Sequence, residues 1–194
     1  MMLHTFFLAL TVPFSVAAQS TITELPPNYG TYHSTLSSSL LSKIHLFQCT
    51  TNGSLFAVKE FMPREPEKEH KTISEFEIGK SLASHDHIVS IFDMIHGPGS
   101  SFQTMEYIPH SLRDWVMHMD GVPTDDEAAC IFRQILDAVA YMHSVGIAHL
   151  DLKLPNVMFA GEGPDRLIKV IDFGCAVRFV GVDGRTVLNR GTLI

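Results

Sequence analysis

Four polar side chains lie close together in Ile147-Ala148-His149-Leu150-Asp151-Leu152-Lys153-Leu154-Pro155-Asn156-Val157-Met158-Phe159, between two apolar flanks. The spacing of Asp151, Lys153 and Asn156 lets one carboxylate, one ammonium and one amide converge on a point. A further carboxylate opens Asp172-Phe173-Gly174, directly after the apolar run Leu167-Ile168-Lys169-Val170-Ile171. Carboxylate and amide oxygens are hard ligands of the kind magnesium takes. A carboxylate also accepts the proton of a hydroxyl, and an ammonium offsets anionic charge. A second lysine stands in Phe56-Ala57-Val58-Lys59-Glu60-Phe61. A lysine between apolar neighbours on a central strand is costly unless its ammonium meets an anion.

These groups need a frame to hold them. Residues 29–36 and 43–50 carry apolar residues in short, loosely alternating patches. Asn52-Gly53 is a hairpin dipeptide, and 55–61 is the next strand, so the pattern predicts an antiparallel meander. Beyond the breakers Pro63 and Pro66, a helix is expected over about 67–83 with an apolar stripe of Ile73, Phe76, Ile78 and Leu82. Strands are expected over 90–95 and 102–108, and a short helix over 111–119. Thr124-Asp125-Asp126-Glu127 is a capping box. It opens a helix to about Ser144, with Ala128, Ile131, Ile135, Val139 and Met142 along one stripe and Gly146 at its close. Residues 161–166 form a turn between two short strands. His85 and His87 alternate in a loop without a third ligand, which favours a structural role over a metal site.

Composition narrows the function. The chain has 194 residues, 45% hydrophobic, and a net charge of −7 with eleven histidines neutral. It can build a core, and it lacks the basic surface that nucleic acid requires. Cys49, Cys130 and Cys175 are odd in number and far apart, without a CxxC, which argues against a disulfide framework or a zinc site. Residues 3–18 are nearly free of charge, and Val16-Ala17-Ala18 before Gln19 fits a signal-peptidase site. The segment is short for a membrane span and its start carries no Lys or Arg. Residues 1–18 therefore read as a signal peptide or a spurious N-terminus, and 19–28 as a linker ending in Pro26-Pro27. Asn52-Gly53-Ser54 is a glycosylation pattern only if the chain is secreted.

The order H-x-D-L-K-x-x-N, then D-F-G, resembles the catalytic loop and metal-binding turn of eukaryotic-type serine/threonine protein kinases. The resemblance covers about residues 29–192. It implies an α+β bilobal fold, with an antiparallel N-lobe sheet, one regulatory helix and hinge over 29–108, and a partial helical C-lobe over 109–194. The implied reaction is transfer of phosphate from ATP to Ser/Thr of a protein substrate, with Mg2+. Asp151 would orient the substrate hydroxyl and Lys153 would offset the charge of the moving phosphoryl group. Asn156 and Asp172 would hold magnesium. Lys59 would hold the phosphates and Glu75, favoured over Glu77, would hold Lys59. Ala57 and the gatekeeper Met105 would lie beside the adenine, with the Glu106 carbonyl and the Ile108 amide bonding the base. The wording of these motifs looks most like fungal kinases that regulate nutrient and ion transporters. The resemblance implies a cytoplasmic protein, unless residues 1–18 direct secretion.

Three departures bear on activity. Ser37, Ser39 and Ser42 stand where the glycine-rich loop would have its glycines, so weaker nucleotide binding is expected. Leu150 replaces the arginine that reads an activation-segment phosphate. The sequence stops at Ile194, just after Gly191-Thr192, which resembles the start of the segment leading to Ala-Pro-Glu. The apolar face of the 124–144 helix should then be partly exposed and open to a partner. The alternative to a working enzyme is a pseudokinase that acts as a weak nucleotide-binding or protein-interaction module.

Overall fold

A computed structural model describes residues 29–62, 66–97, 100–118, 123–160, 167–182 and 185–188. The expectations for 1–18, 19–28, the 161–166 turn and Gly191-Thr192 lie outside the described residues. The first half is a five-stranded antiparallel sheet: β1 (Thr31–Ser38), β2 (Ser42–Gln48), β3 (Leu55–Phe61), β4 (Ile91–His96) and β5 (Ser101–Glu106). The strands lie in the order β1-β2-β3-β5-β4. The strand bearing Lys59 is therefore central, with Ile44 and Gln103 as its cross-strand partners. The expected hairpin turn is present. Gly53 has φ 73°, and the Asn52 carboxamide oxygen accepts from the Ser54 amide and hydroxyl.

Helix α1 (Pro66–Leu82) follows β3. Its buried face comprises Thr72, Glu75, Ile78, Gly79 and Leu82, while Ile73 and Phe76 are half-buried. The expected stripe was thus half right. Two polar residues sit on the buried face, and periodicity of apolar residues alone cannot mark them.

The second half begins with β6 (His110–Ser111), α2 (Leu112–His118) and α3 (Asp125–Ser144). The capping box is made: Thr124 accepts from the Glu127 amide, and Glu127 accepts in return from Thr124. Beyond Gly146, whose φ is 73°, come β7 (Ile147–Ala148), a single 3-10 turn at Leu154–Asn156, β8 (Val157–Ala160), β9 (Leu167–Val170), β10 (Val177–Val182) and β11 (Arg185–Leu188). β8 and β9 form a hairpin that carries the catalytic-loop candidates on one arm and leads to Asp172 on the other. One core joins Ile78 and Leu82 of α1, Ala138 and Met142 of α3, Val157 and Phe159 of β8, Ile168 and Val170 of β9, and Phe173.

On α3 only Ala138 and Met142 are fully buried. Ile131, Ile135 and Val139 are half-buried against the core, and Ala128, expected on the stripe, is exposed. Phe132 and Leu136 are 59% and 51% exposed, so the expected partial exposure of this helix is present. No helix among the described residues is long and apolar enough to cross a membrane.

Candidate active site

The site is assembled from β3, α1, the loop after β7 and the segment after β9. β3 delivers Lys59 to the sheet face that α1 covers, at 9% exposure. Its ammonium lies 2.5 Å from Glu75 Oε1 and 2.9 Å from Asp172 Oδ1. Glu75 is therefore the partner of Lys59, as the resemblance implied over Glu77. Burial works against the Lys59 ammonium, but Glu75 and Asp172 together more than offset it and raise its pKa above the ordinary lysine value. Burial also pushes the Glu75 carboxyl up, and Lys59 draws it only part of the way back. The 2.5 Å contact and the second carboxylate at Lys59 decide for an ionised pair at neutral pH. Asp172 would also be raised by burial, but Lys59 and the Gly174 amide outweigh this and hold it below the usual carboxylate range.

The second group gathers around Asp151. Lys153 Nζ donates to Asp151 Oδ2 at 2.8 Å. Asn156 Nδ2 donates to the Asp151 carbonyl at 2.9 Å and to Oδ2 at 3.2 Å. The Lys153 hydrogen bond is the first cause of a lowered Asp151 pKa, and the same bond leads in raising Lys153. Asp151 is therefore ionised at neutral pH and able to receive a proton. Among the described residues both side-chain bonds of Asn156 leave from Nδ2, which leaves Oδ1 as an acceptor suited to a hard cation.

Ile171 joins the two groups. Its amide donates to the Asn156 carbonyl at 3.0 Å. Its carbonyl lies 3.0 Å from His149 Nε2. The backbone is left-handed at Leu150 (φ 60°) and Asp172 (φ 64°). A non-glycine residue there costs roughly 1–2 kcal/mol, and such strain collects where side chains must be aimed. Phe173 is 2% exposed, against His149 at a ring distance of 5.3 Å.

The donor set fits magnesium with a nucleotide. Asn156 and Asp172 offer hard oxygens, and magnesium takes its remaining ligands from phosphates and water. His85 and His87 are different. Among the described residues no three His, Cys, Asp or Glu side chains are grouped to hold a metal. His85 instead stacks on Tyr141, and His87 Nδ1 meets the Ile168 carbonyl at 3.2 Å.

Of the residues that the resemblance places around an adenine, Ala57 and Met105 are direct cross-strand partners, and the Ile108 side chain is buried in the core. The Glu106 side chain has a role that its place in the sequence did not suggest. Glu106 Oε2 accepts from the Ser90 amide at 3.1 Å and from Lys169 Nζ at 3.1 Å. Lys169 also donates to the Ile88 carbonyl at 3.3 Å. Like Lys59, Lys169 is a lysine in an apolar strand, and the same need for an anion was a signal that could have marked it. The turn at Ser39 is closed on itself: its Oγ accepts from the Leu41 and Ser42 amides and donates to the Ser42 carbonyl. Cys175, directly after Gly174, is exposed.

The protein kinase domain family model matches residues 41–189. Serine/threonine-protein kinase oca2 of Schizosaccharomyces pombe is 37% identical over 156 residues, which are 78% of this chain and 23% of that protein. The nitrogen permease reactivator protein of Saccharomyces cerevisiae is 36% identical over 141 residues, 70% of this chain and 17% of the relative. Maternal embryonic leucine zipper kinase of Xenopus tropicalis is 36% identical over 159 residues, 80% of this chain and 24% of the relative. The chain thus spans less than a quarter of the length of these relatives. The match over most of the chain, with the lysine, glutamate and two aspartates brought together in the order their motifs require, makes this chain a member of the protein kinase domain family.

Proposed function

We propose that this chain transfers the γ-phosphoryl group of ATP to serine or threonine hydroxyls of protein substrates. The observation that carries the reading is Lys59, which touches both Glu75 and Asp172 while Asp172 is joined through Ile171 to the Asp151 loop. Lys59 would hold the phosphates, with Glu75 fixing its position. Asn156 and Asp172 would hold magnesium, which when bound neutralises phosphate charge. Asp151 takes the proton of the substrate hydroxyl as its oxygen bonds to the γ-phosphorus and the bond to ADP breaks. Lys153 offsets the charge on the moving group. Ala57 and Met105 would lie beside the adenine, with the Glu106 carbonyl and the Ile108 amide bonding the base. With the nitrogen permease reactivator protein among its relatives, we infer that its substrates belong to the control of nutrient uptake.

The test joins a thermal shift with ATP and magnesium to a labelled phosphate transfer, using Asp151→Asn as control. ATP should raise the melting temperature only with magnesium. Transfer should fall about 100-fold or more in Asp151→Asn, the range for loss of a proton acceptor. Lys59→Met should remove ATP stabilisation while the fold persists. No stabilisation at saturating nucleotide would sink the proposal. Transfer that survives in Asp151→Asn would sink the role of that residue.

A further inference from the structure

β1 is a weakly held strand in a sensitive place. All eight of its residues are exposed. Its pairing with β2 is interrupted twice, between Tyr32 and Ser34 and between Thr35 and Ser37. Such irregularities bend a strand and re-aim the residues beyond them, and an exposed, polar strand specifies its register weakly. Beyond the second interruption lies the turn over residues 37–42, which would cover the nucleotide phosphates.

Beneath this strand lies a polar chain that the phosphoryl-transfer site does not use. His45 and Glu60 are 1% and 0% exposed, and His45 Nε2 lies 3.0 Å from Glu60 Oε2. Ser100, just before β5, donates to Glu60 Oε1 at 3.4 Å. On the other side His45 Nδ1 lies 3.0 Å from Thr35 Oγ1, which also meets the Tyr32 hydroxyl at 3.1 Å. A carboxylate at Nε2 requires the hydrogen there, so in the neutral ring Nδ1 accepts and the Thr35 hydroxyl donates. A buried polar pair is a poor stabiliser compared with apolar packing. Its best attested use is to fix a register. Thr35 pairs directly with His45, on the last position before the second interruption. The tether therefore acts where the register most needs fixing.

We propose that Thr35 is a positioning residue: the buried His45–Glu60 pair grips it, and the grip holds the 37–42 turn in place over the nucleotide. This rests on the phosphoryl-transfer reading for its use, but the grip itself is measurable without activity. A purely stabilising role for the pair predicts that Thr35, exposed on an edge strand, matters little.

The test compares the full chain with Thr35→Val and Thr35→Ser. Valine keeps the β-branch that suits a strand and removes the hydroxyl; serine keeps the hydroxyl. Hydrogen exchange of the amides at 37–42, without nucleotide, should be about three- to tenfold faster in Thr35→Val, as expected for one hydrogen bond. Thr35→Ser should match the wild type in exchange and in melting temperature, and Thr35→Val should melt only a few degrees lower, as the loss of one hydrogen bond allows. The ATP dissociation constant should rise by a similar about three- to tenfold factor in Thr35→Val alone. Unchanged exchange in Thr35→Val, or a Thr35→Ser as loose as Thr35→Val, would overturn the grip. Faster exchange with unchanged ATP affinity would overturn its role in positioning. A wild type that binds no ATP would sink the phosphoryl-transfer reading, while the exchange data still decide the grip.

Discussion

Gly79 is one turn beyond Glu75 on the buried face of α1, and adding a methyl group there tests how closely the helix must approach the rest of the site. A Cβ at Gly79 would stand 2.3 Å from Ile91 Cδ1 and 3.0 Å from Phe173 Cδ2. Two effects oppose each other. Alanine is favoured over glycine in a helix interior by about 1 kcal/mol. Overpacking a filled core costs about 1–3 kcal/mol. Ile91 Cδ1 ends a flexible chain and can rotate away, whereas Phe173 is a buried ring against His149. The net expectation for Gly79→Ala is a destabilisation of about 0–2 kcal/mol. The assay is urea unfolding of Gly79→Ala, Ile91→Val and the double variant. Ile91→Val alone should cost about 0.5–1.5 kcal/mol through the lost methyl. In the Gly79→Ala background it should cost less, because it removes the clash, giving a coupling of about 1 kcal/mol. A Gly79→Ala protein stabilised by the full helix preference and uncoupled from Ile91 would refute the close approach of helix and core.

Two further expectations concern the ion pairs. Lys169→Met should destabilise the fold by about 1–3 kcal/mol, because it leaves the Glu106 carboxylate without its cation, and Glu106→Gln should offset part of that loss; a neutral Lys169→Met in urea unfolding would contradict it. Asp172 has a folded pKa below its unfolded value, so its contribution is fully present above about pH 4 and is lost as the pH falls through the lower, folded value. The Asp172 side chain is 41% exposed, so solvent screening limits the effect to at most about 1 kcal/mol. Denaturation midpoints followed into acid should therefore fall less steeply for Asp172→Asn than for the wild type, and identical slopes would refute the assignment.

Local patterns made much of this molecule legible. The capping box at Thr124, the turn at Asn52-Gly53 and the lysine on β3 each follow from short-range chemistry. Their positions in the chain agree with the structure to within a few residues. The buried face of α1 was harder to read. Glu75 lies on it because Lys59 supplies an anion's partner from another element, and a count of apolar residues marks Ile78 and Leu82 correctly but adds Ile73 and Phe76, which are only half-buried. The strand order, with β5 between β3 and β4, depends on pairing across the helix and leaves no local mark. The His45–Glu60 and Lys169–Glu106 contacts were missed for a related reason. Each joins residues from separate segments: the apolar strand around Lys169 calls for an anion, but nothing local marks which carboxylate supplies it. Ala128 was placed on a buried stripe by periodicity, yet it is exposed, while Ile131 one turn further on is half-buried against the core.

The two hydrogen bonds of Ile171 have a consequence for the order in which the site comes together. The residue before Asp172 is fastened by its amide and its carbonyl to Asn156 and His149. Asp151, Asn156 and Asp172 therefore share one backbone unit, whereas Lys59 belongs to the sheet. A shift between sheet and helices changes how long Lys59 reaches Asp172 but leaves the spacing of the three oxygen-bearing side chains intact. Substitutions in the sheet should then alter the fraction of time the site is complete. Substitutions around Ile171 should alter its shape.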